Sequence, residues 1–245
     1  MSAPLLAALA ATVFLTALLS GIFGMAGGLI LLWVLLFLMP VATAIAVHGM
    51  VQVVSNGSRA WFTRGWIDWR ILGFLCIGMA AAALALFLVA YRPSLIVVSI
   101  AVGLMPLLVW LPLGRLQLDA TRPIHALLCG FLSGGLAIGV GVSGPIIDIA
   151  LVRSQIDRRR VIATKAAAQV VNHATKVVFY WSAAAALSAA DWWAVAVALP
   201  LAVLGTRAGN FVLHRMTDIG FRRWTRWIVT GIGAVYLARG IAQLV

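Results

Sequence analysis

Apolar runs broken by glycine, proline and clustered charge divide the chain into ten segments, five in each half. In the first half they cover 4–23, a short 29–39, 43–62, 70–90 and 93–111. In the second they cover 123–140, a short 146–152, 160–183, 192–213 and 222–243. A helix rises ~1.5 Å per residue, so a run of ~20 apolar residues matches the ~30 Å of bilayer hydrocarbon. The pattern predicts an all-α integral membrane protein with a first membrane unit over 1–111, a connecting loop over 112–122 and a second unit over 123–245. No basic stretch precedes the first segment, so it is read as a helix and not as a cleaved leader.

Two segments depart from this apolar pattern in the same way. His48, Gln52, Asn56 and Arg59 stand at steps of four, four and three, and Lys165, Gln169, His173 and Lys176 repeat those steps 117 positions later. Such steps return to nearly one side of an α-helix, so each set is a polar stripe. Ionisable groups at membrane depth are costly and mark functional positions.

The 117-residue offset extends without gaps from 24–62 to 141–179, with nine of 39 positions identical. Gly24, Gly27 and Gln52 match Gly141, Gly144 and Gln169, and Arg59 matches Lys176. Loop charge then tests the orientation of the two units. The loop after 43–62 carries Arg64 and is followed by Arg70, whereas its counterpart at 182–191 has no Lys or Arg. The turn at 39–43 is uncharged, whereas its counterpart at 153–160 carries four arginines. Opposite bias in equivalent loops predicts inverted-topology repeats, with 63–69, 112–122, 153–160 and 214–223 in the cytoplasm and both termini outside.

Composition agrees with this picture. The 245 residues are 64% hydrophobic and 10% charged, beyond what a soluble domain hides. A formal net charge of +12 would suggest nucleic acid in a soluble chain, but here the basic residues fall mainly in short loops and at helix ends. Cys76 and Cys129 lie in separate apolar segments and suggest no disulfide or metal site. Zinc-protease, Walker A and dinucleotide patterns are absent, and no cofactor is expected.

The candidate chemistry lies where the stripes meet two glycine turns, Gly24-Met-Ala-Gly27-Gly28 and Gly141-Val-Ser143-Gly144-Pro145. A helix that restarts at such a turn aims backbone N–H groups and its positive dipole end at an anion. Arg59, Lys165 and Lys176 supply charge, and Gln52, Asn56, Gln169 and Asn172 supply amides. His48, His173 or Asp148 could couple movement to protons; Asp148, which has Leu31 at its counterpart position, could instead pair with Lys165 or an arginine. The competing structural reading makes these residues interhelical hydrogen bonds and tight packing. An enzyme reading takes Ser143 and His173 as a Ser–His pair of an intramembrane hydrolase, although Ala26 stands where Ser143 repeats.

The glycine turns, each followed by a short apolar stretch and a polar-striped helix, resemble the sulfite exporter TauE/SafE family. The strings His48-Gly-Met-Val-Gln52-Val-Val-Ser55-Asn56-Gly-Ser-Arg59 and Ala163-Thr164-Lys165 through Gln169 and His173 to Lys176 look like a branch of it. The resemblance implies a permease of the cytoplasmic membrane that moves small sulfur-containing anions, with the turns and stripes as the substrate region. This chain departs from the family pattern there, with Ala26, Ser143 and Pro145 in the turns and His48-Gly49 where a Thr-Ser pair is usual. The expected function is therefore a secondary transporter of a small sulfur oxyanion or organosulfonate working by alternating access. The alternatives are a passive anion channel, the Ser143/His173 hydrolase and a membrane scaffold.

Overall fold

The computed structural model describes residues 3–23, 25–110, 118–154, 156–213 and 215–244. Among these every regular element is helical. The first half comprises α1 (Ala3–Phe23), α2 (Met25–Leu38), α3 (Val41–Phe62), α4 (Trp69–Leu88), α5 (Leu95–Leu104) and the short α6 (Pro106–Trp110). The second comprises α7 (Pro123–Val140), α8 (Gly144–Arg153), α9 (Arg158–Phe179), the short α10 (Trp181–Ala185), α11 (Ala189–Leu213) and α12 (Asp218–Ala242).

Helices α4, α7 and α11 are long and apolar enough to cross a membrane. Phe87, Leu88 and Trp193 are each more than 70% exposed. A water-soluble surface would not tolerate many such side chains, whereas lipid does. With α3 and α9 at 22 residues each, this is a multi-pass membrane protein. By contrast α2 has 14 residues and α8 has 10, or ~21 and ~15 Å of helix, so neither spans the ~30 Å hydrocarbon.

Several boundaries differ from the sequence expectation for local reasons. Helix α8 begins at Gly144, two residues before the expected 146, because Pro145 suits the first turn of a helix. The expected 93–111 segment breaks at Met105, before Pro106, whose missing N–H cannot continue the ladder. The expected 160–183 helix stops at Phe179, and Trp181–Ala185 forms a separate turn.

Packing is reciprocal between the halves. Helix α1 lies along α11, and α4 lies along α7. Glycines permit both approaches. A Cβ at Gly209 would fall on the Leu18 carbonyl, and one at Gly130 on the Leu75 carbonyl, so each pair meets backbone to backbone. The contacts of Gly49 with His173 and Val177, and of Gly57 with Val170, show that α3 and α9 run antiparallel. Gly103 beside Leu237 and Gly240 beside Ile100 show the same for α5 and α12.

The basic loops gather at one end. Arg160 pairs with Asp68 at 2.8 Å, the Ala120 N–H donates to Ser154 Oγ at 2.8 Å, and Trp110 Nε1 donates to Thr230 Oγ1 at 2.8 Å. At the other end Tyr91 and Tyr180 donate to the carbonyls of Gly139 and Ile138, and Arg239 to that of Leu36. Among the described residues Arg64, Arg70, Arg122, Arg158, Arg159, Arg160, Arg215, Arg223 and Arg226 lie at the first end, against Arg92 and Arg239 at the second.

Candidate functional site

The two polar stripes face each other because α3 and α9 pack antiparallel in the middle of the molecule. Each helix has apolar neighbours around most of its circumference, so only the stripe side can be polar without burying unpaired groups. Between the stripes lies a cavity of about 50 Å³. A water needs roughly 10–15 Å³ on this measure, so the space suits a few waters or one small anion.

From α3 the cavity is lined by His48, Gln52, Asn56 and Arg59, and from α9 by Lys165, Gln169 and His173. The starts of the two short helices close it, with Met25 and Gly28 from α2, Gly144 from α8 and Ser143 from the turn before α8. Its wall thus combines two cationic side chains, three amides and two imidazoles with the N-terminal ends of two helices.

Hydrogen bonds hold these groups in place. Asn56 Nδ2 donates to Gln52 Oε1 at 3.2 Å and to the Gln52 carbonyl at 3.0 Å. Arg59 Nη2 donates to the Ser20 carbonyl at 3.2 Å, one of the guanidinium's five N–H bonds. His48 and His173, both buried, meet edge to face with ring centroids 5.6 Å apart. Among the described residues His173 Nδ1 has no hydrogen-bond partner. Gly28 leaves room for these side chains, since a Cβ there would stand 2.6 Å from Gln52 Nε2 and 3.4 Å from His48 Nε2.

Five candidates from the sequence are not among the residues that line the cavity. Lys176 is fully buried, and its Nζ lies 2.6 Å from His48 Nδ1 and donates to the Gly141 carbonyl at 2.7 Å. It therefore ties α9 to α3 and to the turn before α8. Gly141 takes a left-handed conformation, φ 83°, which glycine adopts without strain. Asn172 Nδ2 donates to Ser143 Oγ at 3.0 Å, and its Oδ1 has no partner among the described residues. Gly27 faces the Thr16 carbonyl and Ser20 of α1, which makes it a packing position. Asp148 forms an ion pair with Lys165. Gly24 lies outside the described residues.

Ser20, Met25 and Val142 line the cavity as well, and none was singled out in the sequence. Met25 and Val142 stand 117 positions apart inside the two glycine turns, so the repeat offset carried a signal for both. Ser20 had none, because only the crossing of α1 beside α3 brings it to Arg59.

The Ser143 hydroxyl engages Asn172, and no hydrogen bond joins it to His173 among the described residues. Those residues contain no cluster of metal-ligating side chains. Comparison with known protein families matches residues 9–236 to the family described as Sulfite exporter TauE/SafE. Searches of curated proteins and of solved structures returned no significant match.

Proposed function

We propose, for a chain that belongs to the sulfite exporter TauE/SafE family of membrane transporters, a secondary transporter that moves a small sulfur oxyanion or organosulfonate by alternating access. The observation that carries this reading is the cavity between the two stripes. A guanidinium, an ammonium, three amides and two helix N-termini converge on a space sized for a small anion. Charge-assisted hydrogen bonds and helix dipoles favour an oxyanion in such a place. Arg59 and Lys165 neutralise it, and Gln52, Asn56 and Gln169 orient it. Lys176 and Asn172 act from behind by fixing His48 and Ser143. His48 and His173, buried and in contact, are the groups that would carry a proton in coupled transport.

Reciprocal packing supports two inverted repeats, since α3 and α9, and α5 and α12, run antiparallel and the contacts of α1 with α11 and of α11 with α3 recur as α7 with α4 and α4 with α9. A site at the interface of such repeats is open to either side as one unit rocks against the other. The arginine-rich end faces the cytoplasm by the positive-inside bias, which places both termini outside.

The test is thermal unfolding of the purified protein with sulfite, thiosulfate, sulfate, sulfoacetate and chloride, followed by uptake of the stabilising anion into proteoliposomes. A ligand present at 100 times its Kd stabilises the folded state by about 2.7 kcal/mol. Gln169→Ala and Arg59→Gln should abolish both the stabilisation and the transport. Unchanged transport of every tested anion by both variants, in folded and inserted protein, would overturn the site.

A further inference from the structure

The 117-residue offset pairs His48 with Lys165 and Arg59 with Lys176. Because α3 and α9 are antiparallel, the stripe positions that meet at one end have their repeat equivalents at the other, with different chemistry. At one end Lys176 meets His48, sealed from the cavity. At the other, the equivalent positions hold Arg59 and Lys165, two cations that both face the cavity. Two such charges at membrane depth repel and are each costly to bury.

Asp148 stands where these cations converge. Its carboxylate pairs with Lys165, and it lies close enough to act electrostatically on Arg59. The equivalent position in the first half is Leu31, 1% exposed in the hydrophobic core, so a carboxylate accompanies only the end where two cations meet. The Lys165 and Asp148 side chains are 26% and 29% exposed, so the pair borders open space. Two cations and one carboxylate leave one uncompensated positive charge at this end.

We propose that Asp148 sets the charge class of the ligand, so that the wall balances a singly charged anion of the sulfonate or hydrogensulfite type and disfavours a dianion such as sulfate. The inference rests on the anion-transport reading above. Coulomb energy is linear in ligand charge, so the Asp148 carboxylate repels a dianion twice as strongly as a monoanion and halves what the two cations offer either one. The cost of desolvating the anion rises with the square of its charge, so a single residual positive charge offsets it for a monoanion and not for a dianion. A monoanion is satisfied by Arg59 and by the N–H groups of Lys165 left free beside the carboxylate. Asp148 is in this sense a specificity-determining residue.

The experiment measures half-maximal thermal stabilisation of the full chain by methanesulfonate and by sulfate, at constant ionic strength. The wild type should respond to methanesulfonate at the lower concentration. Asp148→Asn should lower the half-maximal concentration for sulfate by roughly tenfold more than that for methanesulfonate, and Asp148→Glu should restore the original order. If Asp148→Asn does not fold, Lys165→Gln serves instead, and it should lose the sulfate response before the methanesulfonate response. Preference of the wild type for sulfate, or equal shifts for both anions in Asp148→Asn, would overturn the charge assignment alone. Stabilisation of the wild type by neither anion would overturn the anion-transport reading and this inference with it.

Discussion

Gly27 and Gly28 are adjacent in sequence, yet the same one-carbon change should fail at these positions for different reasons. A Cβ at Gly27 would fall on the Thr16 carbonyl and within 2.6 Å of the Ser20 backbone nitrogen. Both are backbone atoms of α1, so relief requires prising α1 and α2 apart. Overpacking of this kind costs about 1–3 kcal/mol and sometimes more. A Cβ at Gly28 would instead meet the Gln52 amide at 2.6 Å, the free end of a flexible side chain that can swing aside. That movement gives up the Asn56–Gln52 hydrogen bond, worth about 0.5–1.5 kcal/mol. Alanine is better than glycine within a helix by roughly 0.8–1 kcal/mol, so the two effects nearly cancel. Gly28→Ala should therefore melt within about 1 kcal/mol of wild type, while its methyl displaces an anchoring amide in a cavity of only about 50 Å³. Ligand affinity should fall at least tenfold, equivalent to about 1.4 kcal/mol. Ligand-free melting in detergent reads the stability of both variants, and anion titration of the melting transition reads the affinity of Gly28→Ala. Wild-type stability of Gly27→Ala would refute the packing argument. Undiminished anion affinity in Gly28→Ala would refute the placement of Gly28 in the site.

Ser143→Ala should retain transport but lose about 1–3 kcal/mol of stability, because the buried Asn172 amide loses the Ser143 acceptor. Loss of all function at unchanged stability would favour the Ser143–His173 hydrolase instead. In a background with Cys76 and Cys129 replaced, Arg92→Cys in intact cells should react with a membrane-impermeant thiol reagent, and Arg64→Cys should not. The reverse labelling would invert the proposed topology.

The order of helices, the inward faces of α3 and α9 and the glycine turn before α8 were legible in the sequence because each is a local statement. A stripe at steps of four, four and three must share one side of a helix, and a polar stripe cannot face lipid cheaply. The repeat offset was legible too, and it marked Met25 and Val142 without their being read. Depth behind the stripe was not. Lys176 and Lys165 look alike in sequence, yet one is sealed against His48 and Gly141 while the other borders the cavity beside Asp148. Which stripe residue reaches the cavity depends on where the antiparallel helices cross and where α2 and α8 begin, and those are set by backbone contacts between segments far apart in the chain. Ser20 enters for the same reason, brought to Arg59 by the packing of α1. Periodicity along one helix determined which face is polar; the crossing of helices, held at their glycines, decided which of those polar atoms line the cavity and which hold its wall.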